Sequence, residues 1–429
     1  MTPSARIKAV LDLLERIEKA PIPMDLTIGD YMRNRRYIGS KDRAYIAETT
    51  YAVVRHHARI TWGLEQIGAE QSPRARLIAY LAIQDAKTVK DLFDGTKHGA
   101  EELNADELKL VENFPKEFEA APEAVRAECP PDYEASLKAY FGQDFETEMA
   151  ALIAPAYLNL RVNLVMGDRE KAKTLLSEDR VKTTENKFSP WGLAVEGKTF
   201  LSMTRAFKKG LVEIQDEGSQ MIALACDVKP GQQVLDYCAG AGGKTLALAA
   251  AMNVKGRIVA MDLEAHRLAK ARDRFRRAKV SDIIEPRPLS DEKNRKWLRR
   301  QKQYFDCVLV DVPCSGTGTW RRNPDMRWRT YGPSVAELVE IQRDIMEKVA
   351  GTVKPNGRLV YATCSMLPEE NEQQIEHFLS LHPEFELKEL KDVWPEGCPP
   401  PCEGNFMRLT PHRHGTDGFF AAILIRKPC

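Results

Sequence analysis

The chain has 429 residues, 43% hydrophobic and 29% charged, enough for roughly two or three cores of ordinary size. Lys and Arg number 63 against 62 Asp and Glu, a formal charge of +1, so the global balance implies no polyanionic partner, although a local basic patch could serve one. No window approaches about 18 uninterrupted apolar residues, which excludes a spanning helix, and nine scattered cysteines, an odd number, predict free thiols in a reducing, cytoplasmic compartment.

From residue 1 to about 140 the pattern is helical. Ile7, Val10, Leu11, Leu14 and Ile17 recur at three- and four-residue spacing, one face of a helix. A second helical run, Tyr45 to Ile60, carries Arg43, Arg55, His56, His57 and Arg59 at or near it, read as a solvated basic face. Residues 141–210 mix short elements: the alternation in Tyr157–Asn163 predicts a half-buried strand, a helix follows over Arg169–Leu176, and Trp191–Val195 reads as a second strand. This is a small α+β linker subdomain.

From 211 to 429, apolar strand-type runs at Gln233–Asp236, Arg257–Asp262, Phe305–Asp311 and Gly357–Thr363 alternate with helix-length segments at Lys244–Met252, Ala265–Ala278 and Val335–Val353. Repeated strand–helix units predict an α/β fold, a parallel sheet covered on both faces. Asp417–Ile425 reads as a last strand after a tight turn.

The sharpest local signal is Val234-Leu-Asp-Tyr-Cys-Ala-Gly-Ala-Gly-Gly-Lys-Thr245, a strand running through a glycine-rich turn into a helix. A P-loop would need glycine where Cys238 stands, and the dinucleotide fingerprint would need it where Thr245 stands. An acid followed by glycines suits S-adenosylmethionine instead. Asp236 can hold its cationic amino-acid end, bare backbone at Gly240, Gly242 and Gly243 permits close approach, and Asp262 can accept both ribose hydroxyls.

Two cysteines follow the next strands, Cys314 after Leu309-Val-Asp-Val-Pro313 and Cys364 after Leu359-Val-Tyr-Ala-Thr363. Methylating carbon 5 of a pyrimidine needs such a nucleophile. Thiolate attack on carbon 6 makes carbon 5 reactive toward a sulfonium methyl group, and a base then removes the carbon 5 proton so that the thiol can leave. Asp311 is placed to hold the ring N3 and amino group, and Pro313 to stiffen the turn and contact the base.

DYCAGAGGKT, DVPCSGTG, RRNPDMRW and YATCSMLPEENE together resemble the Sun/nucleolar-protein family of RNA cytosine-5 methyltransferases, RsmB-like branch, over roughly Val212 to Lys427. The resemblance implies a Rossmann-like S-adenosylmethionine methyltransferase domain with Cys364 as nucleophile and Cys314 assisting release. It places Lys244 and Asp311 with the catalytic set. It also implies cofactor contacts from Asp236, Cys238, Ala239, Gly240, Ala241, Gly242, Gly243, Lys244, Asp262, Arg267, Asp291 and Asp311. Two positions depart from the family pattern: Pro-Leu-Ser-Asp291 replaces a glycine–aspartate pair, and Ala241 stands where proline is usual. Gly39–Tyr45 and Tyr51–Arg55 are similar to the NusB-like RNA-binding domain of RsmB-type enzymes, a likeness that stops near Gln84.

Between Ala265 and Lys302 there are 14 Lys or Arg against 5 Asp or Glu, a basic stretch able to line a phosphate backbone. Arg321, Arg322, Arg327 and Trp328 mix guanidinium with an aromatic surface, as contacts to an unpaired strand require. The resemblance to RsmB-type enzymes implies ribosomal RNA as the partner, with transfer RNA as the alternative, and the protein is expected to be a monomer. A DNA cytosine-5 methyltransferase, which would attack with Cys314, and a non-catalytic ribosome-assembly factor are the competing classes. Cys398 and Cys402 with His412 and His414 do not make a convincing zinc set, since three prolines stiffen the loop, and no metal is expected. Trp191 and Trp320 are read as packing residues.

Overall fold

A computed structural model describes residues 1–115, 118–197 and 199–428. The chain separates into two units, Met1–Pro155 with Thr319–Pro333, and Ala156–Gly318 with Ser334–Cys429. The stretch expected as a separate linker, 141–210, is thus divided between them. Among the described residues no helix is long and apolar enough to cross a membrane.

The first unit is helical. Its opening helix, Pro3–Lys19, starts where the Thr2 hydroxyl accepts from the Ala5 N–H, with proline in the first turn where no donor is missed. It buries Ile7, Val10, Leu14 and Ile17, the face given by the spacing. The run at 45–60 is two helices, Ser40–Arg55 and His57–Gln66, broken at His56. His56 and His57 are half-buried rather than solvated: the His57 ring lies 4.7 Å from Trp328, and burial, with Arg76 adding, lowers its pKa to about 4.

The second unit carries two sheets. The smaller has the order β2-β3-β1-β4, built from β1 (Leu158–Val162), β2 (Thr183–Glu185), β3 (Gly192–Val195) and β4 (Val212–Ile214). Val212–Ile214, which the sequence boundary assigned to the methyltransferase stretch, pairs antiparallel with β1 and completes this sheet.

The larger sheet is formed by β5 (Gln233–Asp236), β6 (Arg257–Asp262), β7 (Ile284–Pro288), β8 (Phe305–Asp311), β9 (Val353–Thr363), β10 (Phe385–Leu387), β11 (Phe406–Leu409) and β12 (Phe419–Arg426). It runs β10-β12-β9-β8-β5-β6-β7, with β11 also pairing to β12. β5 to β9 are mutually parallel, and β12 enters antiparallel beside β9. The order reverses at β5, which lies between β6 and β8. The carboxyl ends there form the crevice where ligands bind in open α/β sheets, and Asp236, Asp262, Asp311 and Thr363 are the strand-end residues on that edge.

Candidate active site

The glycine-rich turn is fixed by backbone bonds before any side chain enters. Ala239 N–H donates to the Met261 carbonyl, tying the turn to β6, and Gly242 N–H donates back to the Ala239 carbonyl. Gly240 and Gly242 have φ of 56° and 77°, where a side chain is strained. A Cβ on Gly242 would lie 2.5 Å from the Phe275 ring, and one on Gly240 would lie 2.8 Å from an Arg267 guanidinium nitrogen. Both glycines are therefore required by conformation, and Gly242 also by close approach, whereas the exposed end of Arg267 can move aside at Gly240. Gly242 also caps the helix Gly243–Ala251, so that helix start faces the crevice. Arg274 donates to the Ala241 carbonyl at 2.6 Å, bracing the turn from outside.

Two acids flank the turn. Asp262 accepts the Gly240 N–H at 2.7 Å and the Glu264 N–H at 2.9 Å, which orients its carboxylate while leaving further lone pairs for hydroxyl donors. Asp236 is fully buried. Its Oδ2 accepts the Thr245 hydroxyl at 2.6 Å, while Oδ1 has no protein partner. Burial pushes its pKa up to about 7 against the Thr245 bond, with Asp311 adding. A buried carboxylate oxygen lacking a donor is expensive, and an ammonium group would satisfy it. Cys238, in the same turn, has its thiol pushed well above its usual range by burial first and then by Asp311.

At the neighbouring strand ends, Lys244 Nζ donates to Asp311 Oδ2 at 2.5 Å. Burial works against the Lys244 charge, but Asp311 outweighs it and raises the ammonium pKa, with the charge of Cys364 contributing in the same direction. Cys314 Sγ lies 3.4 Å from Cys364 Sγ, and both cysteines are half-buried and reduced. The Cys314 thiol is pushed well above the usual range by its hydrogen bond with Cys364, then by burial and the charges of Cys364 and Glu370, against a Gly316 N–H. Pro313 is exposed beside it. Two sulfurs with unequal surroundings thus share one crevice with a lysine–aspartate pair.

Other residues fall elsewhere. Arg267 is exposed against Gly240. Asp291 is exposed and caps the helix Glu292–Arg299, accepting the Lys293 N–H. The guanidinium cluster departs furthest from expectation. Arg321 and Arg327 are 5% and 3% exposed, and their segment belongs to the helical unit. Arg327 lies 4.7 Å over the Trp320 ring, Arg55 donates to the Arg321 carbonyl, and Asp325 accepts the Met24 N–H at 2.8 Å. Arg322 and Trp328 are half-buried in the same segment. Arg321 and Arg327 are packing residues that cannot offer a phosphate-facing surface, which corrects the expectation for them. Trp320 is buried, as expected.

Cys402 Sγ lies 3.8 Å from His414 Nε2, while Cys398 Sγ is directed at the Phe188 carbonyl. Among the described residues no group of three metal-binding side chains is found. Sequence reasoning missed Thr245, Glu370 and Asn371. All three stood inside quoted motifs, and only the fold reveals what they hold.

Residues 223–425 match the family model of the 16S rRNA methyltransferase RsmB/F. The chain is 29% identical over 446 residues to the probable ribosomal RNA small subunit methyltransferase B of Synechocystis, covering 98% of this chain and 99% of that protein. It is 33% identical over 276 residues to the one of Bacillus subtilis, covering 64% and 61%. The crystal structure of PH0851 matches with a TM-score of 0.76 and 26% identity over 99% of each chain. With a doubly wound sheet, a glycine turn between two acids and paired cysteines at adjacent strand ends, residues 223–425 carry a methyltransferase domain of the RsmB/F type, and the chain is similar along nearly its whole length to ribosomal RNA small subunit methyltransferases B.

Proposed function

We propose that the protein is an S-adenosylmethionine-dependent RNA methyltransferase that forms 5-methylcytosine in small-subunit ribosomal RNA through a covalent adduct on Cys364. The observation that carries this reading is the pair of sulfurs 3.4 Å apart beside the Lys244–Asp311 pair. The residues fit the cofactor: the open Oδ1 of Asp236 suits its ammonium group, Asp262 its ribose hydroxyls, and the Gly240–Gly243 backbone its close passage. When bound, S-adenosylmethionine supplies the electrophilic methyl group that carbon 5 accepts.

The protein's own groups do the rest. Cys364, as thiolate, adds to carbon 6 of the cytosine, and the positive charge of Lys244 supports that thiolate. Asp311 accepts the N–H of the ring amino group and so fixes the edge of the base beside Cys364. Cys314 gives up its own thiol proton to solvent and, as thiolate, takes the carbon 5 proton after methylation. The electrons of that C–H bond restore the ring double bond as the bond from carbon 6 to Cys364 breaks. The target base leaves its stack to reach this crevice. With Arg321 and Arg327 buried, the exposed Lys270 and Arg272 on the helix Ala265–Arg277 are the better candidates for phosphate contacts.

The test is bisulfite sequencing of total RNA from a strain lacking the gene beside its parent. One cytosine of small-subunit ribosomal RNA loses its protection. If no cytosine in ribosomal or transfer RNA changes, the reading fails.

A further inference from the structure

The cysteine turns are held by two consecutive residues that no step of the proposed reaction uses. Glu370 is fully buried. Its Oε1 accepts the Ser315 N–H at 2.8 Å and the Gln342 amide at 3.0 Å, and its Oε2 accepts the Ser315 hydroxyl at 2.5 Å. The same Gln342 amide also donates to the Pro313 carbonyl. Glu370 and Gln342 thus grip the residues on both sides of Cys314.

Asn371, also fully buried, does the same for the other cysteine. Its Oδ1 accepts the Thr363 hydroxyl at 2.6 Å, and its Nδ2 donates to the Ser365 carbonyl at 3.0 Å. These are the residues on both sides of Cys364. The two turns are stitched together by Gly318 N–H to the Cys364 carbonyl and Met366 N–H to the Thr317 hydroxyl at 2.8 Å. Tyr361 anchors the clamp to β9 by donating to the Glu370 carbonyl at 2.6 Å.

The three donors to Glu370 are neutral, so hydrogen bonding alone does not explain a carboxylate there, because burying one is costly. We infer that Glu370 and Asn371 form a paired clamp of positioning residues, Glu370 dedicated to Cys314 and Asn371 to Cys364. The clamp sets the separation of the two sulfurs and makes them chemically unequal. Cys364, Glu370 and Tyr361 face Cys314, whereas Lys244, itself paired to Asp311, faces Cys364. The negative group on the Cys314 side and the positive group on the Cys364 side lie where a proton acceptor and an attacking thiolate respectively need them. The inference rests on the assignment of those two roles to Cys314 and Cys364.

The test uses the full chain without RNA. Alkylation of each cysteine by iodoacetamide is followed across pH by peptide mass spectrometry. Glu370→Gln keeps the shape and removes the charge, and Ser315 Oγ can turn to accept from the new amide. The Cys314 profile moves to lower pH, so that its alkylation near pH 8 speeds up by about tenfold, while Cys364 changes less than about twofold. Asn371→Ser changes Cys364 by at least about threefold and leaves Cys314 within about twofold. Should Glu370→Gln fail to fold by circular dichroism, Ser315→Ala serves in its place. With fewer donors on the Glu370 charge, Cys314 alkylation slows by about threefold or more. A Cys314 profile unmoved in the folded variant, or both cysteines shifting together, overturns the clamp. Because no RNA is present, the result stands apart from the methylation reading, which fails separately if Cys314→Ala traps no RNA.

Discussion

Lys244 Nζ lies 2.5 Å from Asp311 Oδ2, across 67 residues of sequence, and joins the helix behind the glycine turn to the end of a neighbouring strand. The pair is only partly exposed, 12% and 29% for the two side chains. Removing either partner strands the other charge in a poor solvent. In the proposed reaction, their joint position decides which edge of the base would meet a carboxylate and which sulfur would feel an ammonium.

The two cysteines give the first prediction. Cys364→Ala abolishes methyl transfer, a loss of roughly 10³-fold or more, and forms no adduct. Cys314→Ala instead accumulates enzyme covalently attached to RNA, visible as a slow band on a denaturing gel, because the adduct forms and is not resolved. An active Cys364→Ala beside an inactive, adduct-free Cys314→Ala would reverse the two roles.

Asp236 gives a pH prediction. Its pKa, pushed up to about 7 mainly by burial, means that the folded protein holds this proton more tightly than the unfolded chain. Its contribution to stability therefore falls as pH rises from the ordinary carboxylate range toward 7. Binding of an ammonium-bearing ligand runs the other way, since it needs the ionised form. The Kd for S-adenosylhomocysteine, measured by calorimetry, rises about tenfold from pH 8 to pH 6. Asp236→Asn binds more weakly at both values, and the pH dependence disappears. A parent Kd flat across that range would remove Asp236 from the ammonium site.

Arg327 separates packing from RNA contact. Its guanidinium is buried, over Trp320 and within the field of Glu128. Arg327→Ala lowers the stability of the helical unit by on the order of 3 kcal/mol, seen as an earlier melting transition. Replacing Lys270 and Arg272 together leaves melting unchanged and reduces the slope of log Kd against log salt for single-stranded RNA by about 1.4. If Arg327→Ala melts like its parent and loses RNA affinity, the packing role is wrong.

The sequence made the parallel strands and the crevice legible because β5, β6, β8 and β9 are short apolar runs that end in acids or run into cysteines, with glycine or proline punctuation. β4 was not legible, since three residues carry no period, and neither was β7, whose two prolines argue against a strand interior but are tolerated at a sheet edge. The Arg321–Trp328 segment has the local composition of an RNA-contacting loop. Its packing role depends on partners far away in sequence: the Met24–Asp325 bond spans 301 residues and the Arg329–Ile17 bond 312. No local window contains that information. The Glu370–Asn371 clamp was hidden for a related reason, since adjacent side chains serve separate turns.

β12 has an implication for the order in which the enzyme is made. It lies between β9 on one side and β10 and β11 on the other, although both of those are synthesised before it. Just ahead of it, Gly418 N–H donates to the Gly318 carbonyl, on the loop that leaves Cys314. A nascent chain still lacking Phe419–Arg426 therefore has β10 and β11 without the strand they pair to, and a Cys314 loop without its backstop. Methylation competence then waits until the ribosome has released this segment, rather than growing with the sheet.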